Sequence, residues 1–575
     1  MKYLLTYIKP FYRRMARGLT IKVFGTLIEL LIPYILSYII DEVVPQGSVV
    51  NIVFWGIMMI ACALAGVTMS VTANRMAAKV SSDICEIVRH DLFARTMRLS
   101  GAQVDKFTIP SLESRLTSDT YHFHRFLNSV QRIGVRAPIL LFGGLIVTLI
   151  IDWRLSLIMF SILPLITLSV FFISKRGIPL YTEVQKSVDN MTRVVREDVQ
   201  GIRVIKALSK TEYERRRYDK ANRALMQNEQ KAGITMAASN PLMTFLMNAG
   251  IVAVIFIGAL LIDRGLTQTG KIIAFTQYFT MISQAMLGIT RMFVMYTRSS
   301  ASTKRIAEVL KTGEDLPVFP LTAYPRRPRP DGYIVFDKVC FSYNKKKNDL
   351  TDISFAVARG GTLGIIGATG SGKSTILRLL MRFYDVDSGR ILIDGRDVRT
   401  IPPDELRGMF GVTMQNDFLY ADTIEENVKF GREIPRGDLE RAAEIAQAAE
   451  FINNFEDGWQ HMLSQKGTNL SGGQRQRLLI TRALAGNPKI LLLDDSSSAL
   501  DYKTDSNLRR AIARAGGGMT TIIVAQRVSS VMNSDMIIVL DEGRIIGAGR
   551  HEELMRDCEV YREISNSQMG GAFLE

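Results

Sequence analysis

The stretch GIIGATGSGKST at residues 364–375 decides how the second half of this sequence folds. It carries the spacing G-x-x-x-x-G-K-[ST] and lies between an apolar, strand-like run and the helix-like run TILRLLMRFY. Its glycines let backbone N–H groups wrap around phosphates, Lys373 adds a cation, and the Ser374 hydroxyl can bind Mg²⁺. The pattern therefore predicts an ATP or GTP site in an α/β domain. The candidate phosphate-binding residues are Gly367, Thr369, Gly370, Ser371, Gly372, Lys373, Ser374 and Thr375.

A second glycine-rich segment, NLSGGQRQRLLITRAL, occupies residues 469–484 and begins a predicted helix. Free N–H groups and the positive end of the helix dipole at such a start favour an anion. One nucleotide does not need two phosphate cradles from the same chain, so we predict that this segment closes over a nucleotide held by another subunit. Its candidate contact residues are Ser471, Gly472, Gly473 and Gln474.

The first half of the chain contains apolar runs of about 20 residues, the length that crosses a membrane. The predicted spans are residues 17–41, 52–74, 133–151, 155–176, 238–262 and 272–295. The two long connections between them, 75–132 and 177–237, carry twenty-one Lys and Arg residues, whereas the short connections carry three. Because basic residues favour the cytoplasmic side, both termini and both long connections are expected there.

The long connections also show helical spacing of apolar residues, so each is predicted to be a pair of membrane helices that continue into the cytoplasm. Such an arm would be about 40 Å long, with a short turn at its tip. Residues 1–18 are predicted to form an amphipathic helix on the inner membrane surface. The expected domains are a transmembrane domain at 1–311, a proline-rich and charged linker at 312–332, and a nucleotide-binding domain at 333–575.

Composition excludes several other classes of site. The net charge of +15 is explained by basic residues beside a lipid bilayer, so no nucleic-acid partner is expected. The four cysteines have no pairing or metal-ligand spacing, and the histidines form no cluster. Polar residues within the spans indicate either a substrate path or hydrogen bonds between helices, and both interpretations stay open. The conspicuous ones are Glu29, Asn248, Gln284 and Arg291.

Three further stretches complete a set of motifs: VCFSYN at 339–344, GVTMQNDFLY at 411–420 and ILLLDDSSSALD at 490–501. In order and spacing the set resembles that of ATP-binding cassette (ABC) exporter half-transporters of the multidrug-resistance-like, type IV class, over nearly the whole chain. The resemblance implies an α-helical six-span transmembrane domain plus an α/β P-loop nucleotide-binding domain with a helical subdomain. It also implies that ATP and Mg²⁺ are cofactors and that two such domains sandwich two ATP molecules.

The same resemblance implies roles for individual residues. Tyr343 matches the aromatic residue that stacks on adenine, a common use of a π-face. Gln415 matches the glutamine that senses Mg²⁺ and the attacking water, and Asp494 matches the metal-associated aspartate. Asp501 matches the aspartate that communicates across the dimer. The expected metal-site residues are Ser374, Gln415 and Asp494.

The sequence departs from the family at two positions that touch the chemistry. Asp495 stands where efficiently hydrolysing members have glutamate, and the missing methylene withdraws the carboxylate by about 1 Å, which can cost about a hundredfold in rate. Gln526 stands where the family has a histidine that contacts the γ-phosphate. The candidate catalytic residues are thus Asp495, Gln526 and Gln415. Because Ser471–Gln474 are intact, we expect a heterodimer in which this chain holds a slow ATP site and completes the partner's fast site.

We therefore expect a subunit of a heterodimeric ATP-driven exporter that moves amphiphilic or drug-like substrates out of the cytoplasm by alternating access. Its partners would be a second ABC half-transporter, the lipid bilayer of the cytoplasmic (inner) membrane, and a small-molecule substrate. An ATP-gated channel or regulatory membrane protein, and a homodimeric exporter of lipids or peptides, stay open. So does an importer on the same scaffold, whereas the spans argue against a soluble ABC ATPase that acts on ribosomes or DNA.

Overall fold

A computed structural model of the chain describes residues 3–313, 316–326, 332–415, 417–496, 499–515 and 518–569. The chain divides into two compact units that are not contiguous in sequence. The first comprises Met1–Met97 and Pro110–Thr312, and the second comprises Arg98–Ile109 and Gly313–Glu575.

Among the described residues, the first unit is built of helices alone. In chain order, the helices up to residue 311 are α1 Leu5–Ile8, α2 Tyr12–Tyr38, α3 Val49–Met97, α4 Gly101–Phe107, α5 Ile109–Ser114, α6 Thr120–Pro138, α7 Gly144–Ile151, α8 Trp153–Gln200, α9 Ile202–Ala207, α10 Thr211–Ala237, α11 Ser239–Asp263 and α12 Thr269–Lys311. Of these, α4 belongs to the second unit. Turns of π-helix interrupt the helical run at Ile39–Val43, Arg115–Asp119 and Ile139–Gly143.

Within the described residues, six helical segments are long and apolar enough to cross a membrane, which confirms the six-span architecture. They are Leu5–Gln46, Val49–Met97, Ile109–Ile151, Trp153–Gln200, Thr211–Asp263 and Thr269–Ile289. The side chain of Arg291, one of the polar residues expected in the last span, lies outside the described residues.

Packing within the first unit joins α2 to α3, α6 to α12, and α8 to α10 and α11. The fully buried aromatic side chains of Phe275, Tyr278 and Phe279 on α12 form much of this interior. The Tyr278 hydroxyl donates a hydrogen bond of 2.6 Å to the carbonyl oxygen of Leu30, so the buried phenol has the polar partner that it needs.

The two predicted arms are helical, but their tips differ from the simple turns that we expected. Helices α3 and α8 continue far past their apolar runs, and at 1.5 Å per residue each is about 70 Å long. The tips are themselves short helices, α4 and α9. Helix α4 forms because Ser100 and Gln103 make a reciprocal capping box, a pattern that is visible in the sequence LSGAQ.

The predicted N-terminal surface helix is interrupted in the structure. Helix α1 has four residues, and a 3₁₀ turn at Lys9–Phe11 separates it from α2. Pro10 lies in this turn, and proline lacks the N–H that a continuous helix would use.

The second unit contains two sheets flanked by helices. Its strands are β1 Ile334–Phe341, β2 Leu350–Val357, β3 Thr362–Gly367, β4 Ser388–Ile393, β5 Arg396–Asp397, β6 Phe410–Thr413, β7 Ile490–Asp494, β8 Thr520–Val524, β9 Met536–Asp541 and β10 Arg544–Gly549. Its remaining helices are α13 Lys373–Leu380, α14 Pro403–Gly408, α15 Ile424–Lys429, α16 Arg436–Ile445, α17 Ala449–Asn453, α18 Gly472–Leu484, α19 Tyr502–Arg514, α20 Val528–Val531, α21 His551–Asp557 and α22 Glu559–Met569.

Strand order places the nucleotide motifs side by side. The larger sheet has the order β10-β9-β3-β8-β7-β6, in which β9, β3, β8, β7 and β6 run parallel. The smaller sheet, β2-β1-β4-β5, is antiparallel. Buried strands such as β7, whose five residues are all buried, are expected for a parallel sheet that is covered on both faces. The helices α15 to α18 pack around a separate apolar cluster that includes Trp459 and Leu478, the expected helical subdomain.

Candidate functional site

A cavity of about 370 Å³ opens at the carboxyl ends of the parallel strands. Loops that follow β3, β6, β7, β8 and β9 all contribute to it, because parallel strands end at the same edge of a sheet. The structure thereby brings together residues that are far apart in sequence. The predicted site residues that line the cavity are Thr369, Gly370, Gly372, Lys373, Ser374, Thr375, Gln415, Asp494, Asp495 and Gln526.

The loop after β3 has the geometry of a phosphate cradle. Gly370 and Gly372 have φ angles of +85° and +99°, which other residues adopt with difficulty. A Cβ atom on Gly370 would meet no atom within 4 Å, so this side of the loop faces open space. The Ser371 hydroxyl oxygen is buried and has no hydrogen-bond partner among the described residues. Since α13 begins directly after the loop, its free N–H groups also favour an anion here, and the residues fit a bound phosphate.

Lys373 holds its ammonium group inside this loop. The Nζ atom donates to the carbonyl oxygens of Gly367 at 2.9 Å and Ala368 at 2.7 Å. Burial lowers the pKa of Lys373, while the carboxylates of Asp494 and Asp495 act in the opposite direction. Phosphate oxygens would favour the charged ammonium form, so the side chain is suited to bind them.

Ser374 and Asp494 form the oxygen-rich side of the cavity. The Ser374 hydroxyl donates a 3.2 Å hydrogen bond to Oδ1 of Asp494. Burial raises the pKa of Asp494, because this residue at the end of β7 is only 2% exposed. Gln415, in the loop after β6, is exposed and lines the same cavity. Hydroxyl, carboxylate and amide oxygens are the ligands that Mg²⁺ takes, so these three residues fit a magnesium ion.

The two unusual residues, Asp495 and Gln526, contact each other. The Gln526 amide donates a 3.0 Å hydrogen bond from Nε2 to Oδ2 of Asp495. Burial raises the pKa of the Asp495 carboxyl, and Lys373 acts against this rise. Asp495 also has a φ angle of +51°, a conformation in which aspartate is found more often than most other residues.

Tyr343 lies at the edge of the cavity rather than in its lining. Its hydroxyl donates to Oγ1 of Thr375 at 3.4 Å and accepts from Arg378 at 3.1 Å. The ring packs edge-on against Phe341 and Tyr384 and stays 37% exposed, so one face remains available for stacking.

The segment Ser471–Gln474 is formed but does not line this cavity. Ser471 caps α18 and forms a capping box with Gln474, and it is exposed to solvent. Asp501 caps α19, where its carboxylate accepts hydrogen bonds from the N–H and the hydroxyl of Thr504, and the N–H bond is the chief reason why its pKa is lowered. The predicted helix start at Ser471–Gln474 is therefore present, and both it and the start of α19 lie outside the lining of the chain's own nucleotide cavity.

Arg482 connects α18 to the loop that follows β6. Its guanidinium donates to the Asp417 carboxylate at 2.5 Å and to the Phe418 carbonyl at 2.8 Å. This loop also carries Gln415, so a partly buried ion pair links α18 to the loop. The sequence analysis missed this contact, because Arg482 and Asp417 are far apart in sequence.

Seven cavity residues were not predicted. Val524 and Ala525 lie at the end of β8 and directly after it, and the other five lie in two turns: Lys347, Asn348, Asp349, Glu542 and Gly543. The first three form the turn between β1 and β2, and the other two follow β9. A Cβ atom on Gly543 would come within 2.4 Å of the carbonyl oxygen of Asp349, which shows how closely the two turns approach. The turn signal Asp-Glu-Gly after the apolar strand MIIVL could have indicated the second group.

Comparisons with known proteins agree with this geometry. Residues 15–286 match the family "ABC transporter transmembrane region", and residues 350–498 match the family "ABC transporter". The ABC transporter ATP-binding protein YfiB of Bacillus subtilis (strain 168) is 33% identical over 573 residues, 99% of each chain. The ATP-dependent lipid A-core flippase of Vibrio parahaemolyticus is 31% identical over 85% of this chain and 84% of its own.

A solved structure has the same fold. A bacterial Atm1-family ABC exporter with ATP bound superposes with a TM-score of 0.80 at 24% identity, over 96% of this chain and 98% of the other. The chain therefore belongs to the ABC transporter family, as a multi-pass membrane protein with the fold of an ABC exporter and an ATP-binding domain of its own.

Proposed function

We propose that this chain is one half of a heterodimeric ABC exporter, in which it holds a slow ATP site and completes a fast site on its partner. One observation carries the proposal: Asp495 and Gln526 hydrogen-bond to each other, whereas the capping box of Ser471 and Gln474 is intact and its Ser471 is exposed. A homodimer would repeat the weakened pair at both of its ATP sites, while a partner with glutamate and histidine would restore one of them.

The weak hydrolysis of the proposed slow site follows from its residues. Lys373 and the loop around Ser371 bind the phosphates, and the exposed face of Tyr343 stacks on the adenine base. Magnesium, held by Ser374, Asp494 and Gln415, would neutralise charge on the transferred phosphate. Asp495 is the general base, but its short side chain reaches back to Gln526, so water is poorly positioned and ATP is retained.

The fast site would use this chain's segment Ser471–Gln474, of which Ser471 and Gly472 are exposed. Its N–H groups and helix dipole would bind the γ-phosphate of an ATP molecule held by the partner. Asp501, at the start of α19, would communicate across the dimer. Arg482 would carry the closure of α18 to the loop of Gln415.

We further propose that the spans, the basic long connections and the exporter fold serve outward transport across the cytoplasmic membrane by alternating access. Both termini and the arms would lie in the cytoplasm. The name of one relative, a lipid A-core flippase, supports an amphiphilic substrate for this chain as well.

The test measures ATP turnover in the assembly purified from its native membrane through a tag on this chain. Mass spectrometry of the assembly should identify a second, different half-transporter. We expect Ser471→Arg to lower turnover by at least about a hundredfold, because it blocks the fast site, and Asp495→Asn to lower it by at most about twofold.

The matched control is Ser388→Arg, which places the same side chain on an exposed serine at the start of β4. It should leave turnover unchanged. Equal losses in Ser471→Arg and Asp495→Asn, or an assembly that contains this chain alone and hydrolyses ATP rapidly, would contradict the heterodimer and favour a homodimeric exporter.

A further inference from the structure

The membrane unit contains a second cavity, of about 400 Å³, between α2, α3 and α6. Four charged side chains contribute to it: Lys22 and Glu29 from α2, and Arg132 and Arg136 from α6. Lys22, Glu29 and Arg136 lie within predicted spans, and Arg132 directly precedes the third span. Charged groups within spans are costly and normally face another polar group or a functional cavity.

The positive charges of this cavity are only partly balanced. Arg136 pairs with Glu29 through two hydrogen bonds, of 3.1 Å and 2.5 Å. Lys22 is 4% exposed, and its ammonium group donates to neutral partners, Ser70 at 2.8 Å and Asn74 at 3.3 Å. Among the described residues, Arg132 has neither a hydrogen bond nor an ion pair. The cavity therefore carries two more positive than negative charges.

Hydrogen bonding between helices explains only part of this arrangement. It accounts for the Glu29–Arg136 pair and for the neutral partners of Lys22. It does not explain why two further cations, the buried Lys22 and the exposed Arg132, face the same space without a carboxylate, because like charges repel. An anion from outside the chain would resolve this imbalance.

The remaining wall of the cavity is apolar. It includes Ile32, Ala63, Val67 and Ile133. A ligand that matched both the positive charges and the apolar wall of the cavity would have an anionic head and a hydrocarbon tail. Lys22 lies near the start of the first predicted span and Asn74 at the end of the second, so the cavity would be level with the inner leaflet if the termini are cytoplasmic.

We propose that this cavity binds the anionic head group, a phosphate or a carboxylate, of a single-chain amphiphile that reaches it from the inner leaflet. This proposal rests on the proposed export function, since it names the substrate class. Lys22 and Arg132 bind the head group, the Glu29–Arg136 pair holds α2 and α6 in place, and the apolar wall receives the tail.

Binding of radiolabelled dodecyl phosphate to the full chain, without nucleotide, tests the proposal. The protein is reconstituted in phosphatidylcholine nanodiscs. We expect saturable binding that Arg132→Gln and Lys22→Gln each weaken by at least about tenfold, through loss of a charge-assisted hydrogen bond. Arg125→Gln is the matched control, because Arg125 is an exposed residue of the same helix that does not line the cavity. It should bind like the parent chain.

Competing ligands decide the ligand class. Dodecanoate should displace dodecyl phosphate, whereas dodecyltrimethylammonium and inorganic phosphate should not do so at the same concentration. The proposed anion site would be contradicted if Arg132→Gln and Lys22→Gln both bound dodecyl phosphate with wild-type affinity. It would also be contradicted if dodecyltrimethylammonium bound as tightly as dodecyl phosphate. If inorganic phosphate bound with the same affinity as dodecyl phosphate, the proposal that the ligand is an amphiphile would be wrong. Since no step uses ATP, failure here is distinguishable from failure of the turnover experiment.

Discussion

At the scale of single residues, the slow hydrolysis that we propose for the nucleotide site depends on the length of one side chain. Asp495 follows a fully buried strand and has a φ angle of +51°, which aspartate tolerates better than glutamate does. The sequence alone indicates the missing methylene. It does not indicate the hydrogen bond to Gln526, because that contact depends on β7 and β8 being neighbours in the sheet.

Lengthening this side chain should increase hydrolysis at the chain's own site. We expect Asp495→Glu combined with Gln526→His to raise ATP turnover of the purified chain by about a hundredfold. The reason is that the glutamate carboxylate extends about 1 Å further toward the attacking water than the aspartate carboxylate does. The melting temperature should fall slightly, because glutamate fits the left-handed backbone less well. Turnover is measured by phosphate release.

The control for this pair is Asp352→Glu. Asp352 is an exposed residue of β2 with a φ angle of +53°. Replacing it with glutamate therefore strains the backbone in the same way, at a position that does not line the cavity. It should lower the melting temperature to a similar extent and leave turnover unchanged. No gain in turnover for the double variant would show that Asp495 does not limit hydrolysis.

At the scale of elements, the C-terminal helix α22 holds the loop that carries Gln526. The side chain of Gln568 donates to the carbonyl oxygen of Gln526 and accepts from the N–H of Val528, both at 2.8 Å. Sequence patterns can indicate the strand before this loop, TTIIV at 520–524, since strand signals are local. They gave no sign of the helix contact, because Gln568 is an ordinary polar residue on an exposed turn of α22.

Removing this contact should loosen the loop. In Gln568→Ala the N–H of the buried Val528 loses its partner, which costs about 1–3 kcal/mol. We expect faster amide hydrogen exchange in peptides that cover residues 520–531, measured by mass spectrometry. Gln568→Glu keeps the acceptor and should have a smaller effect, and Ser567→Ala, beside it on an exposed position, should have none. Unchanged exchange in Gln568→Ala would show that α22 does not support this loop.

At the scale of the whole molecule, the sequence predicted the six spans and the α/β half because apolar runs and nucleotide motifs are local features. It did not predict that residues 98–109 group with residues 313–575, since that division depends on contacts formed only after folding. The polar residue Glu29 shows the same limit: its sequence position suggested two roles, and only the structure reveals Arg136 as its partner.

The membrane orientation can be tested on the whole chain. In a variant without the four native cysteines, we introduce Gly265→Cys, in a short connection, or Ser209→Cys, at the tip of the second arm. A membrane-impermeant maleimide added to intact cells should label the first and spare the second, because basic residues favour the cytoplasm. Permeabilised cells, in which both should react, provide the control. The reverse pattern would invert the proposed topology.

The placement of α4 has a practical consequence for anyone who makes the ATPase half as a separate protein. The Tyr384 hydroxyl donates to the Asp105 carboxylate at 2.6 Å, and a Cβ atom on Gly101 would come within 3.0 Å of the Tyr384 ring. A fragment that starts at residue 313 lacks this short helix and leaves a tyrosine and its apolar surroundings uncovered. Supplying residues 98–109 as a synthetic peptide, or fusing them ahead of residue 313, should therefore improve the solubility of such a fragment.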